Sequence, residues 1–342
     1  MKRNLFVPAL AGLFLVATSA SRATTIAQDF AGDPLTNGWY VFGDASLFVW
    51  DSTNQDLCVT WDSTHSNSYF HHPLGTTVTR RDDFQIEFDL KLDDCISGNE
   101  TGKTGPLQIG IGLFNLAAAT SGSFGRGTFG GAPNIAEFNY FPYGYFTFGQ
   151  DIFVSNPTTT VDFISSGGFA YAPTYFAPYY ELELPTNQTV HVAMNYAAKN
   201  QSLSLTLTTN NVVVYHPPDV VLNDPGTSGF GGSDDFQVDA FSISSYSSFG
   251  DPYNSVLGHG KVDNLFVQVP AVRDLTGAFT NNAWQAQFGS RSNWAYTLER
   301  TVNFSTWTNV SETVSGNATN LFLRDTNPPT GQAFYRVRAA QP

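Results

Sequence analysis

TVHVAMNYAAKNQSLSLTLTT, residues 189–209, alternates apolar and polar side chains through two runs that meet at AAKN. A repeat of two is the period of a β-strand with one dry and one wet face, so the stretch reads as a hairpin. The same period recurs along the chain. In FQIEFDLKL (84–92), Phe84, Ile86, Phe88, Leu90 and Leu92 alternate with Gln85, Glu87, Asp89 and Lys91. DLCVTW (56–61) puts Leu57, Val59 and Trp61 on one face. In PLQIGIGLFNL (106–116), Leu107, Ile109, Ile111 and Leu113 share a face. Gly110 and Gly112 fall on the other face and leave room there for a close neighbour. YYELELP (179–185), DFQVDAFSI (235–243) and KVDNLFVQV (261–269) continue the series. No run of ten residues carries the 3.6 period of an amphipathic helix, so the fold class is all-β. One wet and one dry face is the habit of antiparallel sheets.

Composition agrees. The 342 residues include 30 Gly and 18 Pro, with 15% aromatic side chains, as a turn-rich β-chain requires. Charged residues are only 13%, against roughly a quarter in average soluble proteins. Lys2 and Arg3, the apolar run Leu5 to Val16 and the small residues ATSASRA follow the order of a secretory signal peptide, ending at Ala20 or Ala23. That apolar run is short for a membrane span, and no anchor pattern closes the chain, so the mature protein is expected to be exported and soluble. Residues 1–23 hold three basic residues and no acid, so their removal takes the net charge from −13 to −16. Such an acidic surface repels nucleic acid and anionic membrane. It is compatible with neutral glycans, with divalent cations, or with nothing beyond solubility.

The strands group into a large unit, 24–269, and a second set of short strands, 281–342, with 270–280 read as a linker. Cys58 and Cys95 are the only cysteines. Export permits a disulfide between them, which would stabilise by about 3–4 kcal/mol. Two separate thiols are the other reading.

NIAEFNYFPYGYF (134–146) carries the candidate site. Glu137 and Asn139 share one face of a strand, and Phe138 and Tyr140 share the other, which points to the core. AEFNYF, followed by TVHVAMNYAAKNQSLSLTLT, resembles the L-type lectin and glucanase group, the concanavalin A-like jelly roll. SLFVWDSTNQDLCVTW and GHGKVDNLFVQV are similar to first and last strands of that sandwich. The resemblance covers roughly residues 26–269 and implies a jelly-roll fold. In the lectins of that group the acidic residues of this strand hold metals; here Glu137 matches the glutamate but Asn139 stands at the aspartate. In the glucanases the strand carries Glu-x-Asp-x-Glu; here the series is Glu137, Asn139, Phe141, so two of three carboxylates are missing. Glycoside hydrolysis needs a carboxyl pair.

What remains is hydrogen bonding to sugar beside aromatic rings, with Glu137, Asn139, Tyr143, Tyr145 and Tyr175 as the candidate contacts. Packing of these aromatics inside the sandwich is the bland alternative. The resemblance also implies a structural calcium, held by Asp263 of the last strand with Asp29 or the Gly43 carbonyl. The six histidines show no zinc spacing and read as solvated. YTLERTVNFSTWTNV and AFYRVRA resemble a fibronectin-III-like module of secreted bacterial proteins, with Trp307, Phe334 and Tyr335 as core anchors. The expected function is non-catalytic, lectin-like binding of an extracellular polysaccharide. The alternatives are a glycoside hydrolase or lyase with a rearranged site, and a structural or adhesive surface protein.

Overall fold

The alternation becomes pairing along the hairpin: Val192 stands opposite Leu207 and Met194 opposite Leu205 across the strands Thr189–Ala197 and Ser202–Thr209. A computed structural model gives the coordinates and describes residues 24–97, 109–122, 134–142, 158–165, 168–171, 182–217, 219–221, 236–247, 255–292 and 294–340. Tyr143, Tyr145 and Tyr175 lie outside the described residues. Contacts divide the chain into two compact units that meet between Pro270 and Ala271.

The large unit is built on two antiparallel sheets. The first runs in the order Val212–Tyr215, Ser202–Thr209, Thr189–Ala197, Phe84–Ser97, Val256–Gln268, Asp56–Asp62, Phe48–Asp51, and two further strands make nine. The second has seven strands: Gly168–Tyr171, Thr158–Ser165, Ile135–Phe141, Ile109–Phe114, Gln237–Ser245, Ser68–Thr79, Tyr40–Phe42. Their facing sides form one hydrophobic core. Phe84, Ile86, Phe88, Leu90 and Leu92 all point into it, as their period requires. Phe88 of the nine-stranded sheet meets Phe138 of the seven-stranded sheet edge-on, with centroids 5.7 Å apart. Burying each such ring stabilises by about 1.5–3 kcal/mol. This is a two-sheet sandwich of the jelly-roll type. Among the described residues the one α-helix is Leu116–Ala119, capped by the Asn115 side chain.

Three expectations change here. Residues 182–185 of YYELELP join no strand, although Leu184 is buried; Pro185 has no N–H to give a ladder. Cys58 and Cys95 are both free. Cys58 pairs with Lys261 and Cys95 with Gly258, so the strand Val256–Gln268 runs between them. Two strand spacings are about 9–10 Å, beyond the roughly 7 Å that a disulfide spans between Cα atoms. Burial pushes the Cys95 thiol up to about 12 and raises that of Cys58, so both stay protonated and unreactive. The six histidines are not all solvated. His71 and His72 lie on a strand, and burial lowers both below the ordinary imidazole range. His191 bonds Asp89 through Nδ1 at 2.8 Å.

The C-terminal unit consists of two small antiparallel sheets. One is ordered Arg273–Thr280, Ala283–Gly289, Asn320–Asp325, so most of the expected linker is a paired strand. The other sets Ala295–Thr301 among Thr308–Asn309, Val314–Ser315 and Phe334–Ala340. Its core is Trp294, Tyr296, Leu298, Phe288 and Leu323. Of the expected anchors, Tyr335 stacks on Trp284 at 3.9 Å and Phe334 packs on Phe304 at 4.0 Å. Trp307 is a half-buried surface ring that carries the Arg336 guanidinium at 4.1 Å.

Candidate functional site

Register places the candidate residues in two rows across the core-averted face of the seven-stranded sheet. One row runs Tyr40, His71, Ser242, Gly112, Glu137. The next runs Phe42, Tyr69, Ser244, Gly110, Asn139. Directly opposite residues share a face, so these side chains leave the sheet together. The register also pairs Glu137 with Asp162 on the following strand.

Phe138 and Tyr140 enter the sandwich core as expected. Glu137 and Asn139, however, do not look into solvent: both have zero exposure. The glycines explain how. With no side chain at Gly110 and Gly112, the Tyr246 ring lies against the Glu137 strand, and its hydroxyl donates to Glu137 Oε2 at 2.8 Å. A Cβ on Gly110 would stand 2.6 Å from Tyr246 Cε2 and 3.1 Å from Glu137 Oε2. Asn139 Nδ2 turns back to the Glu137 carbonyl at 3.4 Å, and the hydroxyls of Ser242 and Ser244 bond each other at 2.8 Å. A buried carboxylate persists when hydrogen bonds replace its water. Burial, then the charge of Glu137, pushes the neighbouring Tyr69 phenol well above its ordinary range.

Aromatic packing carries this network to the edge of the sheet. Tyr69, Tyr246 and Phe114 form a second, smaller apolar cluster. Tyr69 meets Tyr246 edge-on at 5.9 Å, and Phe42 stacks on Tyr69 at 5.5 Å with the rings 13° apart. Tyr40 lies over His71 at 5.9 Å. Burial falls steeply here: Tyr69 is sealed, while Phe42 is 36% and Tyr40 56% exposed. The two exposed rings come from WYVF, residues 39–42, between Gly38 and Gly43. Trp39 is buried, stacked on Phe70 at 4.7 Å, and Val41 packs against the core, so Tyr40 and Phe42 must face out. Sequence reasoning passed over them. The signal was available as a period-two run bounded by glycines, but a three-residue strand is short enough to hide.

The expected calcium ligands are only partly brought together. Asp263 accepts the Asn264 N–H at 2.7 Å. Burial raises its carboxyl above the ordinary range, and Asp89, Asp56 and Asp29 add to the shift. Such crowded oxygens have the chemistry that suits a hard cation. Gly43 turns at φ +81°, and a Cβ there would press on Ser68, the first residue of a strand of the seven-stranded sheet, and on the Asn67 carbonyl before it. A second group, Asp51, Asp56 and Cys58, has its ligand atoms within 4.8 Å. That group suits a metal poorly, since Lys261 Nζ is 2.7 Å from Asp56 and the thiol stays protonated.

Asp263→Asn tests the cost of holding this charge in a partly buried place beside other carboxylates. An acid whose folded value is raised loses stability as pH climbs through that value. The asparagine variant should therefore melt above the wild type at pH 7 without divalent cations, by less than about 1 kcal/mol given its partial exposure. The gap should close as pH falls towards the ordinary carboxyl value of 3.8. Equal melting at pH 7 would show that neither burial nor the neighbouring carboxylates make the charged Asp263 costly.

No protein-family model matches the chain, and no curated protein sequence matches it. Solved structures do. Peanut lectin with a 9mer peptide is 17% identical, with 70% of this chain and 97% of that one covered and a TM-score of 0.38. A legume lectin-like domain from Entamoeba histolytica is 11% identical, over 72% and 98%, at 0.40. A beta-1,3-glucanase from Mycobacterium marinum is 12% identical, over 73% and 99%, at 0.37. At such values no ligand or residue role passes from them to this chain.

Proposed function

We propose that the protein is an exported, non-catalytic glycan-binding sandwich that holds an extracellular polysaccharide on the core-averted face of its seven-stranded sheet. The observation that carries this reading is the gradient along the two rows. Exposed aromatic rings at one edge rest on rings and polar groups that are fully buried. Rigid rings backed by buried rings and by the Tyr246–Glu137 hydrogen bond are the makings of a sugar site, because stacking supplies area and little entropy is lost on binding. Glu137 and Asn139 serve this site as supports and do not themselves contact sugar. Asp263 and Asp29 are the residues that would hold a structural calcium, away from the bound glycan. The C-terminal unit acts as a fibronectin-III-like spacer. An acidic chain has no use for nucleic acid, and among the described residues no helix is long and apolar enough to cross a membrane.

The test is retention on insoluble or gel-embedded neutral polysaccharide, with reducing ends assayed in parallel. Retention with no reducing ends is expected. The pairing of Glu137 with Asp162 favours a second reading, a glycoside hydrolase with its acids on adjacent strands. Reducing ends that vanish in both Glu137→Gln and Asp162→Asn would establish that reading instead. The sealed position of Glu137 weighs against it, since a catalytic carboxylate must reach the glycosidic oxygen.

A further inference from the structure

We infer that Tyr40 and Phe42 form a two-ring stacking platform that takes two consecutive residues of a neutral glycan chain; this rests on the glycan-binding reading above and specifies its site and ligand class. Three observations meet at this edge. First, the rings are the open aromatic members of the rows, 56% and 36% exposed, although each could have turned inward only by displacing Trp39 or Val41 from the core. Secondly, both are backed by a ring of the neighbouring strand. Phe42 lies nearly parallel to Tyr69, Tyr69 meets Tyr246, and the Tyr246 hydroxyl is fixed by Glu137 at 2.8 Å. Tyr40 rests on His71, itself 7% exposed. Thirdly, spacing suits a chain more than a single ring. Residues two apart on a strand are about 6.4–6.8 Å apart, so each aromatic face can meet its own sugar.

The charge of the surroundings selects the ligand class. Past Gly43 the chain places Asp44, whose carboxylate bonds His65 Nδ1 at 2.7 Å, and His65 Nε2 lies 3.7 Å from Asp62. The carboxylate nearest along the rows is Glu137. Lys91 and Lys261 belong to the other sheet, where they pair with Asp93 and Asp56. Uronate or sulfated chains would meet like charge at this edge, whereas an uncharged pyranose presents C–H groups to the ring faces at no electrostatic cost. Tyr40 adds a hydroxyl that can order one sugar hydroxyl.

The experiment titrates the full chain with cello-, laminari- and malto-oligosaccharides of one to four residues, and with oligogalacturonate as the anionic probe. Proteins compared are wild type, Tyr40→Ala, Phe42→Ala, the double variant, Tyr40→Phe, and Phe304→Ala, an exposed ring of the C-terminal unit. Melting temperature confirms that each is folded. Affinity in at least one neutral series should rise sharply from one residue to two. Each alanine should weaken binding about tenfold and the pair should abolish it, while Tyr40→Phe stays within about threefold and Phe304→Ala is unchanged. If the wild type binds a neutral series and the double variant binds as well, the platform is wrong and the glycan-binding reading stands. If the wild type binds no probe, both are wrong. Tighter binding of oligogalacturonate overturns the neutral class. Sedimentation closes the remaining route: a concentration-dependent dimer that Tyr40→Ala dissolves would assign the rings to contact between copies and overturn the platform.

Discussion

Gly112→Ala should cost the sandwich about 3 kcal/mol, the upper end of what an added methyl group does in a packed interior. Its Cβ would stand 2.6 Å from the Ala136 carbonyl oxygen and 2.6 Å from Glu137 Cβ, and it would also strike Glu137 Cα. Two of those three atoms are backbone, which cannot rotate aside. The strand Ile135–Phe141 would have to move away from Ile109–Phe114 along the pairs Gly112↔Glu137 and Leu113↔Ala136. Gly110→Ala makes a useful contrast, because its Cβ meets the Tyr246 ring and the end of the Glu137 side chain, not backbone. It should cost about half as much. Urea denaturation of the two variants measures the difference. A wild-type midpoint for Gly112→Ala would mean that the Glu137 strand is not pressed against its neighbour, and the burial of Glu137 would need another cause.

The glycines also show how far the sequence could be read. Their alternation with Ile109, Ile111 and Leu113 announced a strand with a close neighbour on one face, and the pattern was sufficient because period two is a local property. The same holds for Phe84 to Leu92 and for the hairpin, so the all-β sandwich was legible. Which face of the Glu137 strand met water was not. Parity separates Glu137 and Asn139 from Phe138 and Tyr140, but it cannot say whether a second layer covers the polar side. Tyr246 and Tyr69, more than sixty residues away in either direction along the chain, belong to that layer. The choice between a disulfide and two thiols stayed open for a similar reason: Cys58 reads as a strand residue and Cys95 as following a strand, and only the sheet order puts Val256–Gln268 between them and decides for the thiols. Trp307 was misjudged because a large ring beside strands resembles a core anchor, until Arg336 is seen lying over it.

Tyr246→Phe should cost about 1.5–3 kcal/mol, the range for a hydrogen bond to a charged group in a buried setting. The phenol donates to Glu137 Oε2 at 2.8 Å, and the Glu137 side chain has no exposure, so water does not replace the lost donor. The ring remains, which separates the hydrogen bond from the packing of Tyr246 on Tyr69. Glu137→Gln should cost less, because an amide oxygen can still accept from the phenol while the charge and its desolvation are gone. Combining the two should recover part of the sum, with a coupling of roughly 1–2 kcal/mol in a double-mutant cycle, since losing one donor costs a neutral glutamine amide less than it costs a carboxylate. The binding readout divides the roles further. If Glu137 supports the platform through Tyr246 and Tyr69, Tyr246→Phe should lower stability and leave glycan affinity within about threefold, because the stacked rings beneath Phe42 keep their places. Affinity lost in proportion to the Tyr40→Ala loss, at unchanged stability, would instead make the buried carboxylate a direct participant in binding.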